Sequence, residues 1–383
     1  MRIYSILALM LLVGTPFAHA QSGHAANPPE PNRNYQLLRE NEDWSFLRDA
    51  NLRSDFWDPI KFIRFRLDRD DWYMSVGGEA REVWEQIGND NWGQQPYMNA
   101  YLNERYMLYF DVHYSKHVRT FVELKSGLNS FRIGGPRPID EKKLDFQAGF
   151  LEVGTSPGAK SLALRIGRQE LEYGSGRLID VREGPNVRLS FDGFTVKSQI
   201  DSWQIDGFAV RPDLDKPGFF SNAPNHGVAF WGAYATRLLP RKVFLDAYYL
   251  GLDRKQATFE RGTAQEVRHS LGARISRPVA TEGPGWDFDY EGLWQFGTFG
   301  QGTFGHGLWR PKQAIAFRRF GLNRGSVPRQ TSPAETIQTR KLWERSIPFF
   351  RRGTTLAYWP PQAPVRSTSS TSIRIWKLYF RMT

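Results

Sequence analysis

The sequence predicts an all-β fold, a transmembrane antiparallel β-barrel, on three observations: long period-two stretches from residue 72 onward, an aromatic content of 14%, and an export leader ahead of both. Each element is taken in chain order.

Residues 1–20 read as a cleaved signal peptide. Arg2 is a short positive start, Ile3 to Val13 are apolar, Gly14 and Pro16 break the run, and Ala18-His19-Ala20 supplies the small-x-small cleavage pattern. The apolar run is too short to cross hydrocarbon as a helix. Nothing after it approaches such a helix, and mean hydropathy is −0.52. That low value is what alternating lipid-facing and lumen-facing residues produce. Residues 21–71 form a polar pre-barrel segment ("NYQLLRENEDWSFLRDANLRSDFWDPIKFI"), whose place is either the lumen or the periplasm.

Period two begins at Trp72. Met74, Val76, Ala80 and Trp84 alternate with Ser75, Glu79, Arg81 and Glu85. Leu102, Tyr106, Leu108, Phe110 and Val112 alternate with Asn103, Arg105, Asp111 and His113, with Glu104 breaking the rule. Val118, Thr120, Val122 and Leu124 oppose Arg119, Glu123 and Lys125, and Leu162, Leu164 and Ile166 oppose Arg165. Further strands are expected at 145–153, 187–197, 202–211, 226–236, 241–252 and 266–275. Trp286, Phe288, Tyr290, Trp294 and Phe296 then alternate with Asp287, Asp289, Glu291 and Gln295. This makes about eleven strands in 72–302, each near bilayer-crossing length. "RIGGPRPIDEKK" and "RPDLDKPGFFSNAPN" suit the longer extracellular loops. A soluble sandwich or propeller also alternates. Full charges on strand after strand of the polar face, with aromatics near the ends of the apolar face, favour the barrel.

The net charge of +11 is unevenly placed. Residues 303–383 hold 15 Lys and Arg against 2 Asp and Glu, leaving 36 against 38 in 1–302. The basic balance therefore belongs to the tail and is no argument for nucleic acid as a partner. There are no cysteines, which excludes a disulfide scaffold and a thiolate metal site.

A conduit needs a wet, charged interior rather than catalytic groups. Its ten candidate lining residues are Arg81, Arg105, Arg119, Lys125, Arg165, Arg168, Arg177, Arg182 and Arg188, with Asp192 as an acidic member. Arginine suits an anionic solute because its fork binds carboxylates bidentately and keeps its charge. Glu79, Glu123, Glu170, Asp180, Glu183 and Asp192 are the acidic groups that hold those cations or neutralise part of the pore. Lumen arginines paired with carboxylates also serve simply to fill a barrel interior, and one register slip would invert the facing. No catalytic set emerges: Ser175 lacks a G-x-S-x-G context, and Gly174 and Gly176 suit a tight turn. His113, His117, His226 and His269 lack metal spacing, and Asp287, Asp289 and Glu291 are a strand's solvated face, so neither a metal nor a cofactor is expected.

Residues 165–194 ("RIGRQELEYGSGRLIDVREGPNVRLSFDGF"), with "NEDWSFLRDA", "WDPIKFI" and "VGGEAREVWE", resemble the alginate-export family of outer-membrane proteins over about Tyr35 to Gly302. The resemblance implies a barrel of about eighteen strands, in line with large outer-membrane barrels. It also implies an outer-membrane location and an anionic polysaccharide or other organic anion as cargo. Outer-membrane lipid and periplasmic secretion components are the implied partners. A general small-solute porin, or an enzyme or adhesin on the same scaffold, are the alternative functions.

After Gly302 the alternation fades, Asp disappears, and Arg, Ser, Thr and Pro accumulate. A basic disordered tail would contain fewer Trp, Phe and Leu. Residues 303–383 are therefore expected to be out-of-frame sequence. Joining the third base of each codon to the first two of the next lets 343–356 encode "GTFNPLFPKGNYF" and 303–317 encode "IRAWTVATETGYRF". The stretch 323–336 likewise permits a string ending "ADIASGD". These strings resemble later strands and loops of the same family, and a barrel stopped at eleven strands would leave two open edges in lipid.

Overall fold

Alternating residues of the kind seen from Trp72 onward favour extended backbone whose two faces meet different solvents, and the chain realises this throughout. The computed structural model describes residues 33–66, 68–89, 97–216, 218–278, 285–316 and 373–380. The expected signal peptide lies outside the described residues. The strands are β1 (Ile63–Arg66), β2 (Arg69–Ile87), β3 (Asn99–His113), β4 (Val118–Ser130), β5 (Lys142–Gly154), β6 (Lys160–Gln169), β7 (Phe191–Ile200) and β8 (Trp203–Leu214). They continue as β9 (Ala223–Pro224), β10 (Val228–Leu239), β11 (Val243–Phe259), β12 (Gly262–Arg277), β13 (Gly285–Phe299), β14 (Gly302–Ala316) and β15 (Ile373–Phe380). They form one antiparallel sheet in chain order, with β9 hung on β8, and β15 on the edge of β2 that also carries β1.

The eleven expected strands are β2 to β8 and β10 to β13. β7 starts four residues later than expected, because 187–190 still belong to the connection before it. Two strands lie beyond the boundary expected at Gly302. β14 pairs with β13 from Phe299↔Gly302 to Gly285↔Ala316, and β15 pairs with β2 from Ile87↔Ile373 to Ala80↔Phe380. Alternation is hard to read in β14 because Gly305 and Gly307 remove the side chains that would mark one face. Residues 317–372, most of the stretch expected to be out of frame, lie outside the described residues.

The connections at 114–117, 155–159, 201–202 and 240–242 are short and share one end of the sheet. Those at 131–141, 170–190 and 215–227 are long and share the other. In outer-membrane barrels short turns face the periplasm and long loops face outward. In the 240–242 turn Arg241 and Lys242 both adopt positive φ, the backbone that a tight right-twisted hairpin needs.

The two faces of the sheet differ as a barrel wall requires. Leu151, Val153, Leu162, Leu164, Ile166, Phe194, Val196, Leu271 and Trp294 are exposed on one face and provide its lipid-facing surface. The opposite face is buried, because two segments fill the lumen against it. One is Gln36 to Phe62, three short 3₁₀ turns and the one-turn α1 (Asp58–Lys61). The other is the inner segment 170–190, an outer-end connection turned inward. Its Leu171, Leu178, Ile179 and Leu189 join Phe191, Phe208, Val210, Phe230, Tyr234, Tyr248, Leu250, Leu252 and Leu293 in the main apolar core.

A charged lumen wall and its inner segment

The wall formed by β2 to β6 turns its charged residues inward. Glu79 and Arg81 come from β2, Arg105 and Asp111 from β3, Arg119, Glu123 and Lys125 from β4, Glu152 from β5 and Arg165 from β6. Their faces follow from period two, and the register brings Arg81 opposite Arg105 and Arg119 opposite Glu152. Two arginines directly opposed on neighbouring strands repel unless an anion stands between them.

Counter-ions come from three sources. Strand carboxylates supply Arg105–Glu79 at 2.6 Å, Arg119–Asp111 at 2.7 Å and Arg165–Glu152 at 2.7 Å. The N-terminal segment supplies Glu40 to Arg165 at 3.1 Å, while its Arg39 bridges Glu42 and Glu79, each at 2.8 Å. Arg119 also donates to the Glu40 carbonyl at 2.7 Å, and Tyr109 donates to Glu42 at 2.9 Å. The inner segment supplies Glu183, which meets Arg81, Arg105 and Arg188, and Glu170, 2.9 Å from Arg188. Burial pushes the Glu170 carboxyl up to about 7 despite the opposing charge of Arg188.

The inner segment is fastened by its backbone as well. Arg81 donates to the carbonyls of Glu183 at 2.7 Å and Pro185 at 3.2 Å. Asn186 donates to the carbonyls of Glu104, Leu128 and Asp140 at 2.8–3.1 Å. Further along the sheet Arg177 of the same segment meets Asp289 and Glu291 on β13, the latter at 2.9 Å.

Seven of the ten residues expected to line the pore therefore have inward positions with ionic partners: Arg81, Arg105, Arg119, Lys125, Arg165, Arg177 and Arg188. Lys125 is the loosest of them, 3.5 Å from Asp215 and 3.9 Å from Asp213. Arg182 is also in the inner segment, and it differs from the rest. Its backbone is left-handed, with φ of 56°, and among the described residues its guanidinium has no hydrogen-bond or ion-pair partner. Burial lowers its pKa from the ordinary arginine value, and the more distant charges of Asp215 and Asp180 oppose that shift.

Arg168 and Asp192 are placed differently from the other seven. They are cross-strand partners, 2.9 Å apart, on the alternation phase of Ile166 and Phe194, which are 55% and 49% exposed on the lipid-facing side. Their phase is outward. They join Asp213, 3.3 Å from Arg168, where β5 to β8 approach the long-loop end. Arg165 and Arg168 look like one basic motif in sequence, but residues three apart in a strand point to opposite faces. Of the expected acidic partners, Glu79, Glu170 and Glu183 hold lumen arginines, whereas both oxygens of buried Glu123 lack a hydrogen bond. Sequence reasoning did not single out Arg39, Glu40 and Glu42, whose only signal is the mixed charge run ahead of Trp44.

Among the described residues, no group of three His, Cys, Asp or Glu side chains is arranged to hold a metal.

A model of the family described as alginate export matches residues 72–315. Among solved structures the chain is similar to OccAB1 of Acinetobacter baumannii, at 12% identity and a TM-score of 0.45, over 68% of this chain and 65% of that one. It is also similar to a BenF-like porin from Pseudomonas fluorescens Pf-5, at 9% identity and a TM-score of 0.45, over 64% of each. The chain thus spans just under two thirds of the length of these solved chains. No curated protein matches the sequence.

Proposed function

Because the chain belongs to the alginate export family, and is an outer-membrane β-barrel channel, we propose that it passes an anionic polysaccharide or another organic anion. The observation that carries this reading is Arg182. An arginine in the lumen without a carboxylate partner is a standing site for a passing anion, and its planar fork matches a uronate carboxylate. Arg81, Arg105, Arg165, Arg177 and Arg188 add positive charge elsewhere on the inner side, with their field reduced by the carboxylates paired to them. That pairing favours a second reading, a porin for small solutes with little charge preference.

Planar-bilayer recording of the full chain separates the two readings. Anion-selective conductance blocked by uronate oligomers supports the first. Unselective conductance that such oligomers leave unchanged supports the second and sinks the first.

For residues 303–383 we infer that the gene continues the barrel in another reading frame, supported by the family-like strings that the codons permit. The nucleotide sequence decides this. An alternative frame without alternating strands ends the idea.

A further inference from the structure

We propose that Glu183 is a tethered stand-in for a ligand carboxylate: it occupies an anion site built by Arg81, Arg105 and Arg188, and a free carboxylate displaces it. The identification of that ligand with the cargo rests on the anion-conduit reading above.

The first observation is the surplus of donors. Arg81 and Arg105 both address one carboxylate oxygen of Glu183, Arg81 from 3.2 Å, while Arg188 lies 3.5 Å from the other oxygen without hydrogen-bonding it. That second oxygen accepts no hydrogen bond. Nε and Nη1 of Arg105, and Nε and Nη1 of Arg188, are buried and equally unmatched. Buried guanidinium N–H groups without acceptors are costly, so the site is underfilled by the single carboxylate it holds.

The second observation is a difference in exposure. The Arg105 and Arg188 side chains are 2% and 1% exposed, fixed in the wall and in the root of the inner segment. Glu79 and Glu170, their other counter-ions, are buried with them. Glu183 alone is 34% exposed, so it is the partner within reach of an incoming competitor.

The third is mechanical. The backbone around Glu183 is held independently of its carboxylate, by Arg81 on the Glu183 and Pro185 carbonyls and by Asn186 on two strand carbonyls and the Asp140 carbonyl of the 131–141 connection. Release of the carboxylate therefore needs side-chain rotation and leaves the inner segment docked. A tethered competitor lowers apparent affinity by the fraction of time it vacates the site. Its high local concentration keeps the site closed to weak or uncharged solutes.

The test uses the full chain in detergent micelles, with Glu183→Gln and Glu183→Ala. The probe is D-glucuronate, with glucose as the neutral control, and binding is followed by calorimetry and by thermal unfolding. Both variants are expected to bind glucuronate about tenfold more tightly than the parent, as removal of a competitor that fills the site nine-tenths of the time predicts. Glucuronate, and not glucose, is expected to raise the unfolding temperature of Glu183→Ala. If that variant does not fold, the near-isosteric Glu183→Gln carries the affinity comparison. Unchanged affinity in Glu183→Gln, or equal stabilisation by glucose, overturns the proposal. An anion-selective pore with unchanged affinity would remove this site and leave the conduit reading intact. Tighter glucuronate binding in an unselective pore would support the site and remove the cargo.

Discussion

Two regions of the lumen wall combine charge with rings in different ways. From β2 to β6 it presents Glu79, Arg81, Arg105, Asp111, Arg119 and Arg165, and is covered largely by the N-terminal segment. From β7 to β13 it presents Phe191, Phe208, Phe230, Tyr234, Tyr248 and Leu250 to apolar residues of the inner segment, beside buried charge at Asp246, Glu266 and Arg268. Both regions obey the same period-two rule and both bury charge, yet only the second joins its rings to the inner segment's leucines in the main apolar core. The apolar region gains stability from area removed from water, roughly 25 cal/mol per Å². Desolvation of the ions in the charged region offsets most of their attraction, so an apolar replacement would be at least as stable. A wall kept charged at that cost is in keeping with the anion conduit proposed above.

The largest expected effect breaks the charged region from one side. Glu79→Ala leaves Arg39 and Arg105 short of their shared partner and should cost about 3–5 kcal/mol, read as a lowered urea midpoint in detergent. Replacing both members of the pair, Glu79→Leu with Arg105→Met, should recover most of that loss. A double variant as weak as the single one would show that the charged wall holds the fold together after all.

Next comes the apolar region. Phe230→Ala removes a fully buried ring from between Phe191 and Phe208 and should cost about 3 kcal/mol. It should leave the anion-to-cation permeability ratio as it was; a changed ratio would mean that the two regions are not separable.

On the outer surface, Leu164→Arg places a charge against lipid and should cost about 2 kcal/mol, measured by equilibrium folding into vesicles. The smallest effect on stability is expected at Arg182, which has no partner to lose. Arg182→Gln should stay within about 0.5 kcal/mol of the parent. The same variant should lower anion selectivity about twofold in reversal-potential measurements, since the site field falls with its charge. A large loss of stability there would assign Arg182 to structure.

Most of the strand pattern was legible because lipid and water impose contrasting residues on alternate positions. Glu79, Arg81, Arg105 and Arg165 could be assigned a face from their neighbours alone. The division of the lumen was not legible. In β10 and β11 the inward residues Phe230, Tyr234, Tyr248 and Leu250 are as apolar as the outward ones, so alternation carries no contrast there. Nor could one strand at a time show which arginines share a carboxylate. Glu183 is 102 residues from Arg81 and 78 from Arg105, and only the inward turn of 170–190 brings them together. Arg168 differs from Arg165 only in phase: its strand position faces the other way, while its guanidinium still reaches Asp145 and Asp213.

The two lumen fillers are hung from opposite rims. The N-terminal segment runs into β1, whose hairpin with β2 closes at the short-turn rim, whereas 170–190 returns to the long-loop rim at both its ends. They meet inside, where Arg188 of the second donates to the Leu37 carbonyl of the first at 3.1 Å, so each filler is buttressed by an element anchored at the other rim.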